Sequence, residues 1–320
     1  MIEQLVELDQ IKINFSETGS HILNIILSFI MFGVALSINP REFATLFKKP
    51  IPIISGMVGQ LIMLPLVTFL LVMFCHQLLT PTIAMGMILV AACPGGNISN
   101  FISQFSKGNV ELSVSLTAIT TVTALFMTPF NFAFYGNLYT KYISKHSHEL
   151  LQPISIDPGQ MFLTVFILLG IPLILGQLLV KIRPNVARQL APTFQRLSII
   201  AFILMIVLAF SNNIDIFLEY IYFIFIIVLV HNILALLTGY GVGAAFRLSA
   251  KDKRTTTIEV GIQNSGLGLA LLLNPKIFPA EMPIGGMLLI TAWWGIWHII
   301  SGLILGSYWH RKSVKRPLLK

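Results

Sequence analysis

Nine stretches of this chain are long and apolar enough to cross a bilayer core about 30 Å thick. They run over 21–38, 51–73, 81–105, 110–135, 158–180, 197–213, 220–245, 256–274 and 283–308. In lipid every backbone polar group must find its partner within the protein, and helices of this length do so one segment at a time. The expected fold is an all-α polytopic membrane protein with nine transmembrane helices. No soluble domain fits between the stretches, because the longest connection runs only from Gly136 to Asp157. Charged residues make up 11% of the chain, against about 25% in a soluble domain. That composition leaves too little polar surface to face water.

The net charge of +8 raises the question of nucleic acid. Its distribution answers it, because the basic residues sit in short clusters between apolar runs. One set of loops holds Arg41, Lys48, Lys49, Lys107, Lys181, Arg183, Arg188, Arg196, Arg247, Lys251, Lys253 and Arg254. The tail adds Arg311, Lys312, Lys315, Arg316 and Lys320, which makes 17 of the 21 Lys and Arg. The opposite loops hold Lys12, Lys141, Lys145 and Lys276. Loops rich in Lys and Arg stay in the cytoplasm, so the N-terminus is expected outside and the C-terminus inside a cell inner (plasma) membrane. The expected organisation is an extracytoplasmic segment over 1–20, a transmembrane domain over 21–308 and a cytoplasmic basic tail over 309–320. Met1 to Ser20 has no basic start followed by an apolar stretch, so no cleavable signal peptide is expected. Cys75 and Cys93 form neither a disulfide framework nor a metal spacing.

The third and eighth stretches are interrupted at mid-depth. The third contains Ala92-Cys93-Pro94-Gly95-Gly96-Asn97-Ile98-Ser99-Asn100. The eighth contains Glu259-Val260-Gly261-Ile262-Gln263-Asn264-Ser265-Gly266. Proline removes a backbone donor and glycine tolerates non-helical angles. Broken backbone at this depth survives only inside protein or beside a water-filled cavity, and paired broken helices point to a transporter's binding site. The breaks are five spans apart, so their helices run in opposite directions. An inverted repeat explains this: a first half over 21–135 and a second over 158–308, the first copy lacking its opening helix.

Glu259 is the acidic residue placed well inside a span. An ionised carboxylate in hydrocarbon is costly, so it faces a cavity, a polar neighbour or a cation. No Lys or Arg lies within a span to serve it, which favours a bound cation. Ser99, Asn100, Ser113 and Thr117 add neutral oxygens, with Ser113 and Thr117 on one helix face. Small hard cations take oxygen ligands. The bland alternative for each hydroxyl is a bond to the carbonyl four residues back. Gln60 and Gln263 are candidates for a second cation site. Asn97 and Asn264 sit at the breaks, where half-helix N-termini favour anionic groups. His298 could bond a substrate or be structural, and His231 and Asn232 carry the same two readings.

The run from Cys93 to Asn100, followed by Gly108-Asn109-Val110-Glu111-Leu112-Ser113 and Thr117, resembles the bile acid:sodium symporter family. So does the run from Glu259 to Gly266. The similarity extends from about residue 21 to 308, with both motifs in order. The resemblance implies core and panel domains with two crossing broken helices, and two sodium ions (Na+) per cycle. By motif position, Ser99, Asn100, Ser113, Thr117 and Glu259 would hold one ion. Gln60, Glu259, Gln263 and the carbonyls of Val260 and Ile262 would hold the other. Substrate would lie near Asn97, Asn264, Ser265 and His298. Many members have Thr where this chain has Asn97, and many bacterial members have Asn where it has Ile299.

These readings converge on a secondary transporter that couples inward sodium flow to uptake of a small organic anion, bile-acid-like or a small carboxylate, by alternating access. Proton coupling through Glu259 is one alternative. A non-transporting receptor is another, although no output domain stands between the spans. No Ser/His/Asp set, phosphate loop or metal motif marks an enzyme.

Overall fold

The computed structural model describes residues 5, 7, 17–38, 50–146, 157–211, 214–279 and 282–315. Lys12, Arg41, Lys48, Lys49, Arg316 and Lys320, which entered the orientation argument, lie outside the described residues. So does most of the 1–20 segment. The described helices are α1 (Glu17–Ser37), α2 (Pro50–Phe74), α3 (Pro81–Ala92), α4 (Ile98–Phe105) and α5 (Val110–His146). They continue with α6 (Pro158–Ile182), α7 (Pro184–Ser211), α8 (Ile214–Ala245), α9 (Ala250–Gly261), α10 (Ser265–Leu272) and α11 (Gly285–Lys315).

Among the described residues, five helices are long and apolar enough to cross a membrane: Pro50–Phe74, Val110–Lys145, Pro158–Ile182, Leu218–Ala245 and Gly285–Ser313. The third and eighth apolar stretches are each two short helices, α3 with α4 and α9 with α10. Two boundaries differ most from the hydropathy reading. Helix α5 runs on past residue 135 to His146, because nothing in that stretch breaks a helix and Tyr139 is buried. Helix α7 begins at Pro184, well before the apolar run. Proline suits a first helical position, where its missing N–H is not needed.

Helices α3 and α10 form the centre. Every residue of α10 is buried, as is every residue of α3 after Pro81. A helix apolar on all sides belongs in the interior. Small residues let backbones close up around them: a Cβ on Gly86 of α3 would come within 2.8 Å of Met287 Cα in α11. Small residues at such crossings are how membrane helices pack tightly. The outer surface is apolar as well. Val122, Phe126, Phe130 and Phe134 form an exposed stripe along α5 at four-residue spacing.

Helices α2 and α6 each contain a π turn, Gly59–Met63 and Phe166–Gly170, two residues before Pro65 and Pro172. Proline cannot donate to the carbonyl four residues back. In α2 that carbonyl is Leu61's, and Asn131 Nδ2 donates to it instead at 2.9 Å. The widened turn places Gln60 inside the protein, 2% exposed.

Candidate cation and substrate site

The two breaks meet. Cys93, which precedes Pro94, is extended (φ −71°, ψ 155°), as expected where proline disfavours helical angles in its predecessor. Ile262 leaves α9 extended as well (φ −118°, ψ 103°). Gly95 and Gln263 then pair as an antiparallel bridge. The Gly96 N–H donates to Ile262 O and the Asn264 N–H donates to Pro94 O, both at 2.8 Å. No described glycine has positive φ. The glycines of the first break therefore serve close approach and not unusual angles. A Cβ on Gly96 would lie 2.8 Å from Gln263 O, and one on Gly95 would lie 3.1 Å from Glu259 Oε2.

Glu259, at the end of α9, is 2% exposed. Its carboxylate accepts from Ser99 Oγ of α4 at 2.6 Å, from Ser113 Oγ of α5, and from Thr117 Oγ1 of α5 at 3.0 Å. Thr117 Oγ1 also lies 3.3 Å from Asn100 Oδ1 and 3.4 Å from Ser99 Oγ. Five residues from three helices thus share one small volume. Their neighbours on α5 behave differently. Ser115, Thr120, Thr121 and Thr123 each bond a carbonyl four residues back: Glu111, Leu116, Thr117 and Ile119. Ser99, Ser113 and Thr117 turn to the carboxylate instead, so the bland alternative does not describe them.

A second group adjoins the first. Gln60 Nε2 donates to Gln263 Oε1 at 2.6 Å and to Cys93 O at 3.2 Å. Gln263 Nε2 donates to Val260 O at 2.7 Å. Gln60 Oε1 is buried without a partner. The carbonyls of Val260 and Ile262 each take one hydrogen bond here and keep a second lone pair.

The four substrate candidates make no hydrogen bonds to one another. Asn264 Oδ1 accepts from Leu267 N at 3.0 Å and so caps α10. Asn97 holds the cap position of α4 without capping it. Ser265 Oγ and both ring nitrogens of His298 are buried without partners. Among the residues with two readings, Asn232 Nδ2 donates to Gly261 O at 2.8 Å, and Ser301 Oγ donates to Asn232 Oδ1 at 2.5 Å. Asn232 thereby ties α9's broken end to α8 and α11. His231 Nε2 lies 2.8 Å from Thr68 Oγ1. Thr128 was not singled out from the sequence. It donates to Ala92 O at 2.7 Å, where α3 ends. A threonine in an apolar run carries no signal of such a role.

The donor set suits a hard cation. Carboxylate, hydroxyl and amide oxygens are what hard cations take as ligands, and Thr117 Oγ1 stands 3.4 Å from Ser99 Oγ and 3.3 Å from Asn100 Oδ1. Among the described residues no three His, Cys, Asp or Glu side chains gather as a transition-metal site would need.

Residues 24–220 match the Sodium Bile acid symporter family. The chain is 31% identical over 299 residues to the uncharacterized sodium-dependent transporter YocS of Bacillus subtilis, covering 93% of this chain and 85% of that protein. It is 26% identical over 294 residues to the probable sodium/metabolite cotransporter BASS1, chloroplastic, of Arabidopsis thaliana, covering 91% and 67%. It is 29% identical over 228 residues to the human P3 protein, covering 71% and 45%. Apolar helices interrupted around a buried carboxylate, with relatives of this kind, define a multi-pass membrane protein of the sodium-dependent transporter class and not an enzyme. The chain belongs to the sodium bile acid symporter family.

Proposed function

We propose that this protein drives uptake of a small organic anion with the inward sodium gradient, by alternating access. The observation that carries this reading is the Glu259 carboxylate held among three hydroxyls and an amide oxygen, with no basic side chain among its hydrogen-bond partners. A proton needs one acceptor and no such cage, so the arrangement favours sodium over proton coupling. Ser99, Asn100, Ser113, Thr117 and Glu259 hold one ion. Gln60, Gln263, Glu259 and the carbonyls of Val260 and Ile262 hold a second, for which the unpartnered Gln60 Oε1 is the supporting feature.

The substrate takes the unpartnered groups Ser265 Oγ and the His298 ring, together with Asn97 and Asn264 at the two breaks. These groups donate hydrogen bonds without adding charge, and the N-terminus of α10 favours an anion. The breaks pair antiparallel, which supports an inverted repeat; nine spans with core and panel domains belong to the same reading. The basic loops support an external N-terminus and a cytoplasmic C-terminus in the plasma membrane. Each sodium ion entering at 100 mV contributes about 2.3 kcal/mol, so two with a monoanion make uptake electrogenic.

The test is uptake of a carboxylate panel into proteoliposomes at fixed pH, with an inward sodium or potassium gradient. Accumulation only with sodium, carrying positive current, is expected. Accumulation indifferent to sodium would sink the reading in favour of proton coupling.

A further inference from the structure

The polar residues around Glu259 continue beyond the site. On α9, Thr255 and Asp252 precede Glu259 at helical spacing. On α4, Ser103 and Ser106 follow Ser99. Just before α5, Asn109 precedes Ser113 by four residues. Residues three or four apart share a helix face, so three polar faces leave the carboxylate in the same direction, toward the start of α9.

The contacts show these faces meeting. Asn109 N donates to Thr255 Oγ1 at 2.8 Å, and Thr255 Oγ1 donates to Asn109 O at 3.0 Å. Asn109 Nδ2 donates to Asp252 Oδ1 at 2.7 Å. A Cβ on Gly108 would lie 2.7 Å from Thr255 Oγ1, 3.1 Å from Ser103 O and 3.5 Å from Ser106 Oγ. Helices α4 and α9 therefore close on each other over Gly108. On α4, one turn after Ser99, Ser103 is 0% exposed and its Oγ has no hydrogen-bond partner. A buried hydroxyl left unpaired works against stability, and its oxygen is free to accept a ligand.

We propose that Ser103, Thr255, Asn109 and Asp252 line the path by which sodium leaves Glu259 for the cytoplasm, with the Asn109–Asp252 hydrogen bond closing its outer end. The path is short: seven residues of helix separate Asp252 from Glu259, about 10 Å at 1.5 Å per residue. Ser103 Oγ offers an oxygen ligand midway, and the half-exposed Asp252 carboxylate receives the ion at the surface. The proposal rests on the reading of Glu259 as a sodium ligand and of the α9 start as cytoplasmic.

The experiment uses silver ion as a thiol-reactive monovalent cation. Ser103→Cys is introduced into the full chain, membrane vesicles of both orientations are made, and silver is added before maleimide labelling in denaturant. The thiol at position 103 is expected to react from the cytoplasmic side on the order of tenfold faster than buried Cys93, since thiol reactivity follows access. Adding Asp252→Ala speeds the reaction further by removing the closing hydrogen bond. Thr255→Cys gives a second probe if the first variant fails to assemble. Thiols at both positions as inert as Cys93, or reached only from outside, overturn the path. The melting temperature of the unsubstituted chain in sodium against potassium chloride is measured alongside. A sodium-specific rise with inert thiols refutes the path alone. No sodium-specific rise refutes the Glu259 assignment, and the path falls with it.

Discussion

Replacing Glu259 by Gln removes the charge and keeps the shape, and the stability effect should depend on the salt. In potassium chloride the wild-type carboxylate is buried with three hydroxyl donors and no cationic side chain among its partners. Hydrogen bonds to a charged group contribute about 1.5–3 kcal/mol each, against about 0.5–1.5 for neutral pairs, so the variant gives up some bonding. It also escapes the burial of an uncompensated charge, which costs several kcal/mol. The variant should therefore melt at or above the wild type in potassium. Sodium changes the order. A ligand at a hundred times its Kd stabilises the folded state by about 2.7 kcal/mol. Unfolding entropy of about 2.1 cal/mol/K per residue, over 320 residues, converts this to roughly 4 °C. The wild type should rise by about that amount between saturating potassium and sodium chloride at equal ionic strength, and Glu259→Gln should not. The assay is thermal unfolding of purified protein in detergent. A rise in Glu259→Gln equal to the wild type's would refute the assignment of Glu259 to the cation. A variant that collapses in potassium would refute the claim that the carboxylate is there for a cation and not for the fold.

Three further outcomes follow from the same geometry. Asn131→Leu leaves the Leu61 carbonyl unpaired and should cost about 1–3 kcal/mol. Pro65→Ala restores an N–H to that carbonyl, so the double variant should lose less than the sum of the two, as a thermal double-mutant cycle would show. Gly96→Ala drives a Cβ to 2.8 Å from Gln263 O and should abolish both the sodium-dependent rise in melting temperature and uptake. Asn264→Ala removes the cap of α10 at about 1 kcal/mol, while Asn264→Ser keeps it. If Asn264 serves the substrate, Asn264→Ala should weaken substrate binding in titration calorimetry more than it weakens sodium binding, and equal loss of both would mean the two sites are wrongly divided.

The breaks and the carboxylate were legible in the sequence because each contradicts its surroundings. Pro94-Gly95-Gly96 cannot continue a helix, and Glu259 is costly in an apolar run. The i, i+4 spacing of Ser113 and Thr117 put two hydroxyls on one face before any contact was known. What closes the breaks was not legible. Gly95 and Gln263 are far apart in the chain, and their bridge comes from tertiary packing, which residue type does not encode. The inward setting of Gln60 depends on a π turn, and that turn depends on Pro65 together with an amide from Asn131 of another helix. Hydropathy also ended α5 too early, because it marks where a chain leaves lipid and not where its backbone stops being helical.

The pattern of hydrogen bonds at the breaks explains why oxygens remain free to serve an ion. Interrupting two helices at mid-depth strands several carbonyls, and in lipid each must be satisfied by protein. Thr128 takes that of Ala92, Asn232 that of Gly261, and Gln263 that of Val260. The two breaks take each other's through Gly96 N to Ile262 O and Asn264 N to Pro94 O. Each break thus supplies donors that the other lacks, exchanged across the antiparallel Gly95–Gln263 bridge. With the backbone satisfied in this way, Ser99, Ser113 and Thr117 are not needed to repair it, and they do not bond back along their own helix as Thr120 and Thr121 do. Their hydroxyls collect on Glu259. A substitution that unpairs the breaks should therefore damage cation binding at Glu259 without replacing any of the hydroxyls that collect there. Gly96→Ala tests this, because its Cβ meets Gln263 O while position 96 contributes no side-chain oxygen.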